Sequence, residues 1–168
     1  MIFIVNVITM KPSKIKVVKA KKAWILPPNI RAITLFGTIF CAKKVDVNQI
    51  NETDKIDSDL KCHETIHVRQ AENTKDSWFI YYCKYIGQWI KNIPLITVNI
   101  NAPYKFIPLE LEAYRHEREY EYCMKPCDGW KAYKKLTLKQ KREFAKKYYK
   151  SHVIFRDFIK EMIDPILV

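Results

Sequence analysis

Runs and gaps in the apolar residues divide the chain into an N-terminal stretch of strand-like segments and a longer helical remainder. Ile2–Ile8 is a continuous apolar run of strand length, and Ile15–Val18 alternates with lysines. Ala32–Cys41 is dense in β-branched and aromatic residues around a single Gly37, the pattern of a tight hairpin or a bulged strand. Residues 46–59 are polar and acidic and read as a loop. Beyond it the apolar spacing becomes helical. Asp59 can cap a helix over Leu60–Asn73, and Ser77 a second over Trp78–Asn92. The apolar residues of that second segment crowd more than one face, which predicts a buried helix, with an interfacial helix as the alternative. It is too short, and too interrupted by Lys84 and Lys91, to span a bilayer. Pro94 ends it, leaving Leu95–Ile100 as a short strand or extended loop. Pro108 opens a third helix expected to run to Cys123, with Glu110 and Glu112 near its positive dipole end. Thr137 and Gln140 form a capping-box pattern for a basic helix to Lys150, and Ser151 can cap a last one over His152–Ile163. Strands first and helices after give an α+β class.

The composition agrees with a folded domain. At 168 residues the chain is the size of one domain, and its 48% hydrophobic content is too high for a disordered one. The reading is a single domain over residues 1–168, with a basic helical extension over residues 125–168. Five cysteines without a paired spacing, and an apolar N-terminus lacking a basic lead and a cleavage site, predict a reducing, cytoplasmic location. Cys123 and Cys127, separated by three residues including Pro126, read as two unrelated thiols.

Charge changes the picture less than its total of +12 suggests. Residues 1–50 hold nine basic side chains against one acid, residues 125–168 twelve against five, and the middle is net acidic. Lysines dominate, whereas bidentate phosphate and base recognition favours arginine. Solubilising lysine faces are therefore expected rather than specific nucleic-acid binding.

Candidate chemistry sits in the first predicted helix, in His63-Glu64-Thr65-Ile66-His67. Histidines at i and i+4 project from one face, one turn apart, where both can bind a single zinc ion. Glu64 is off that axis but within reach of a metal-activated water, the place of a general base. A catalytic zinc site needs a third protein ligand. Cys62 is about 100° round the helix and poorly aimed. Pro108-Leu-Glu110-Leu-Glu112-Ala113 supplies better ones: Glu110 is preferred, because Ala113 on its face lets two helices approach. Glu112, on a face with Arg115, His116 and Glu119 that reads as solvated, is the alternative.

HETIHVRQ followed by IPLELEAY resembles the zincin metallopeptidases of the gluzincin type. More narrowly, it is similar to small bacterial peptidase-like proteins with an HE-x-x-H-V-R-Q helix and a P-x-E-x-E-A segment. The resemblance covers roughly residues 30–122. It implies a zincin-like fold, zinc on His63, His67 and the downstream glutamate, and a peptide or protein substrate hydrolysed with Glu64 as base. It also implies a strand beside the active helix that pairs with extended substrate, for which Thr34–Phe40 is the candidate. Gluzincins often carry an acidic or amide residue four positions after the ligand glutamate; here that position is Tyr114. For the oxyanion donor, His116, His152, Tyr114 and Arg69 are all conceivable. Two other readings stand beside the peptidase: a non-catalytic zinc-binding module for a protein partner, and a basic nucleic-acid-binding protein.

Overall fold

A computed structural model describes residues 16–19, 32–42, 59–74 and 77–167. The predicted Ile2–Ile8 strand and nearly all of the 46–59 loop lie outside them. The described residues are mostly helical, with one small sheet, in keeping with an α+β class.

That sheet has three strands, β1 (Lys16–Lys19), β2 (Ala32–Leu35) and β3 (Thr38–Cys41), with β3 in the middle. β1 lies parallel to β3, and β2 pairs with β3 as a hairpin in which Leu35 faces Thr38 and Ala32 faces Cys41. The two-residue turn has positive φ at both Phe36 (48°) and Gly37 (75°). This is the turn whose twist matches that of a hairpin. Gly37 adopts it freely, while Phe36 is held there: its N–H donates to the Tyr82 hydroxyl at 3.1 Å, and its ring meets Trp78 and Tyr82 edge-on.

Helix α1 (Asp59–Glu72) is buried at Cys62 through Val68 and again at Gln70 and Ala71, so it is the central element. Asp59 begins it and accepts from Arg118 at 2.7 Å. Helix α2 (Trp78–Asn92) begins at Ser77, whose hydroxyl accepts from the Ile80 N–H. It is not the buried helix expected from its apolar content; only Trp78, Tyr81 and Asn92 are buried. Leu95–Ile100 is neither strand nor extended loop, because Ile93–Thr97 continues α2 as a 3₁₀ segment around Pro94.

A single short turn of helix, α3 (Ala102–Lys105), leads to α4 (Pro108–His116). α4 stops well short of Cys123. In a continuous helix Glu112 and Tyr122 would be about 15 Å apart along the axis. Instead the chain turns after His116, and the Tyr122 hydroxyl donates to Glu112 Oε1 at 2.6 Å. After α5 (Trp130–Tyr133) comes α6 (Leu138–Lys150), which carries the expected capping box between Thr137 and Gln140. Ser151 does not cap a helix at His152, because its hydroxyl donates back to Tyr148 O. The last helix, α7 (Phe155–Phe158), starts later and widens into a π turn over Ile159–Ile163.

The largest apolar cluster joins Leu95, Phe106 and Leu111 to Tyr133, Ala145, Phe155 and Ile159. The basic C-terminal third thus shares its interior with α3 and α4. Val68, Ala71, Trp78, Tyr81, Ile107 and Leu109 form a second cluster, which clamps α1 between α2 and α4. No described helix is long and apolar enough to cross a membrane.

Candidate metal centre

α1 and α4 pack side by side, and their contact brings His63, His67 and Glu110 together. Ala113, one turn after Glu110, is fully buried in that contact and keeps the helices close. The three ligand atoms lie within 4.8 Å of one another, and all three residues are buried. His63 Nε2 is 3.4 Å from Glu110 Oε2, and His67 Nε2 is 3.3 Å from Oε1.

These separations are long for charge-assisted hydrogen bonds, which close to about 2.7–2.9 Å. Each is close to the ligand-to-ligand edge of a tetrahedral site with bonds of about 2.0–2.1 Å, roughly 3.3–3.4 Å, and the two run to different oxygens of Glu110. Glu110 Oε2 is a buried oxygen that accepts no hydrogen bond. An orphaned carboxylate oxygen facing the His63 imidazole is costly unless something positive completes it.

The surrounding hydrogen bonds fix how the imidazoles present themselves. Gln70 Nε2 donates to Leu109 O at 2.9 Å and to Glu112 Oε2 at 2.7 Å, so its Oε1 must be the atom 2.9 Å from His67 Nδ1. That oxygen requires a proton on Nδ1, which leaves Nε2 facing Glu110 for a metal or a second proton. Glu117 Oε2 stands at the longer distance of 3.4 Å from His63 Nδ1, an acceptor on the corresponding side of the other ring. Both histidines therefore have an oxygen acceptor behind them, as metal-ligating histidines do. Tyr85 donates to Glu110 Oε1 at 2.7 Å and orients the carboxylate. Tyr114, in the position where gluzincins often have an acid or amide, packs its ring edge-on against His63 at 4.6 Å.

Burial alone would lower the pKa of His63, but the Glu110 and Glu117 carboxylates outweigh it and raise the group to about 10. His67 is raised too, burial being overcome mainly by Glu110. Burial would push Glu110 up, yet the two histidines hold it well below the usual carboxylate range. Where no metal sits, protons take its place, and the two compete for the same nitrogens.

Glu64 lies beside the cluster and is not part of it. Its Oε2 accepts from Thr34 Oγ1 of β2 at 2.6 Å. Both face a cavity of about 210 Å³ lined by Ala32–Leu35, Glu64, His67, Glu110 and four tyrosines: Tyr81, Tyr82, Tyr85 and Tyr104. Burial, and then the charge of Glu110, raise the pKa of Tyr81, Tyr85 and Tyr104, so these remain neutral phenols.

The other candidates lie elsewhere. Glu112 is not on a solvated face; it is fully buried, and its oxygens are taken by Tyr122, the Gly129 N–H and Gln70. Cys62 faces away from the histidines, its thiol donating to His116 O at 3.4 Å, and shares an apolar cluster with Cys123 and Cys127. Arg69 pairs with Glu72, His116 stacks on Tyr122 beside Glu119, and His152 is exposed. Sequence reasoning missed Thr34, Gln70, Tyr85, Tyr104 and Glu117. Only Gln70, in the same short motif, carried a local signal: it lies three residues after His67 and so on the same helix face.

No family model matches the chain, and neither a curated protein nor a solved structure matches it.

Proposed function

We propose that the protein is a zinc-dependent hydrolase of peptide bonds, with a zincin-like arrangement of helix α1 against α4. The observation that carries the reading is the buried triangle of His63, His67 and Glu110, with its ligand atoms within 4.8 Å of one another and its orphaned Glu110 oxygen. Two nitrogens and a carboxylate suit zinc, and suit non-haem iron as well. A carboxylate directly after the first histidine favours hydrolysis over oxygen chemistry. When bound, the cation supplies Lewis-acid polarisation of the scissile carbonyl and acidifies a water.

The chain's own residues do the rest. Glu64, held at Oε2 by Thr34, takes the proton of the attacking water on Oε1 and passes it to the leaving amine. Tyr81, Tyr82 and Tyr85 have their hydroxyls engaged at His67, at Thr34 O and at Glu110. Tyr104 also lines the cavity, with its hydroxyl engaged by Glu110 and Tyr114, and the hydrogen bond to the oxyanion is drawn from these four phenols. β2 is an edge strand among the described residues, and its Ala32–Leu35 segment lines the cavity. An extended substrate can add there as a further strand. Tyr82 already takes the Thr34 carbonyl, which confines that pairing to the Ala32 end.

The test is Glu64→Gln, which keeps size and removes the base. Activity of the metal-loaded protein on a peptide library should fall by about 10²–10⁴-fold while metal content stays at the wild-type level. Equal cleavage by the variant would refute the mechanism. Metal bound by both proteins with cleavage by neither would favour the non-catalytic binding module. Elemental analysis identifies the metal.

A further inference from the structure

The outer face of α2 is an apolar ridge with nothing against it among the described residues. Phe79, Ile86 and Ile90 are each more than half exposed, and Trp89 is 44% exposed. Ile93, Ile96 and Ile100 extend the ridge through the 3₁₀ segment and beyond, with Ile100 at 76%. At 3.6 residues per turn, positions 79, 86, 90 and 93 fall within about 60° of one another, so this is a stripe and not scatter.

Its charge is one-sided. Between Asp76 and Glu110 the chain has no acidic residue, and Glu110 is buried. Lys91 is exposed beside the ridge, and α6 flanks its end: Arg142 donates to Pro94 O at 3.3 Å, and Lys141 to Asn92 Oδ1 at 3.0 Å. α6 carries further exposed lysines, including Lys139 and Lys150, against the single acid Glu143.

We propose that this ridge seats the protein peripherally on an anionic lipid bilayer, with the isoleucines and phenylalanine at the acyl boundary and the flanking lysines on the headgroups. Large apolar side chains on one helix face with basic residues beside them are what such a surface binds, and Trp89 has the amphipathic ring that settles at headgroup depth. A second copy is the poorer occupant, because a symmetric pair would bring two basic flanks together on chains of formal charge +12. The proposal is independent of the metal centre.

Cys83 lies on the same face and is exposed, while the other four cysteines are buried, so a thiol-reactive, environment-sensitive fluorophore reports on this ridge alone. The full-length protein is mixed with vesicles of phosphatidylcholine, or of phosphatidylcholine and phosphatidylglycerol in equal parts. It should co-sediment with the second and not the first, release with added salt, and shift the Cys83 probe to the blue on binding. Ile86→Asp with Ile90→Asp alters only exposed positions, and should weaken binding by more than about tenfold with an unchanged circular dichroism spectrum. Several outcomes would overturn the proposal. These are failure to bind anionic vesicles, equal binding by the double variant, and a dimer in light scattering that the double variant abolishes without any vesicle binding. A Cys83 thiol unreactive in the native protein would likewise overturn it, since another part of the chain would then cover the face.

Discussion

Helix α4 buries two carboxylates two residues apart, on opposite sides, and treats them differently. On one side Glu112 has both oxygens answered by neutral donors: Tyr122 and the Gly129 N–H on Oε1, Gln70 on Oε2. On the other, Glu110 takes one short hydrogen bond from Tyr85 on Oε1, the oxygen nearer His67, and leaves Oε2 without a hydrogen bond beside His63. Both lie in the first turns of one helix, equally removed from water. The contrast separates a carboxylate satisfied by its hydrogen bonds from one with an oxygen that could meet a ligand. Gln70 stands between them, its amide nitrogen on Glu112 and its amide oxygen on His67.

Glu112→Ala should produce the largest change in stability. It removes the acceptor of the half-buried Tyr122 hydroxyl and Gly129 N–H and one of two acceptors of the buried Gln70 amide. A donor left unpaired costs about 1–3 kcal/mol, so urea unfolding should show a loss of roughly 2 kcal/mol or more. Glu110→Ala should do the reverse, costing less stability than Glu112→Ala but weakening metal binding by at least the ~10–100-fold typical of losing an outer partner. Competition with a chromogenic chelator reads that number; equal metal affinity in the two variants would erase the distinction drawn here. Gln70→Leu should cut into both sides at once, lowering metal affinity by about tenfold and stability by about 1 kcal/mol.

The smallest effect is in pH. In metal-free protein the raised His63 contributes stability that is fully present below about pH 6.5, the ordinary histidine value, and is lost as pH rises through about 10. Lys141 opposes it: burial pushes this lysine down to about 8, so its penalty is fully present below that pH and disappears toward about 10.4. Removing the opposing slope with Lys141→Met should expose a steady fall in unfolding free energy above neutral pH, and Glu110→Ala in that background should flatten it.

What the sequence showed plainly was whatever is decided within a few residues. α2 keeps its predicted ends because Ser77 caps it and Pro94 stands just past its last turn; the histidines of α1 share a face because four residues make about one turn. The end of α4 was not legible, since it is set by Glu117 reaching His63, Arg118 reaching Asp59 and Tyr122 reaching Glu112, all tertiary contacts. Glu112 read as solvated because its helical neighbours are charged; the backbone N–H that buries it comes from Gly129, seventeen positions on. Thr34 and Tyr85 each meet the site from another element, with no local pattern to announce them.

Tyr81 and Tyr85, four residues apart, line the cavity from one side of α2, and Ile86 and Ile90, also four apart, form the ridge on the other. Both faces depend on a shared phase. One residue inserted or deleted between Tyr81 and Ile86 turns everything after it by about 100°, swinging the isoleucines sideways toward the protein and carrying Trp89 round with them. Substitutions can adjust either face separately, but a change of length within this helix disturbs both together. Natural variation in length is therefore expected to fall outside Trp78–Asn92.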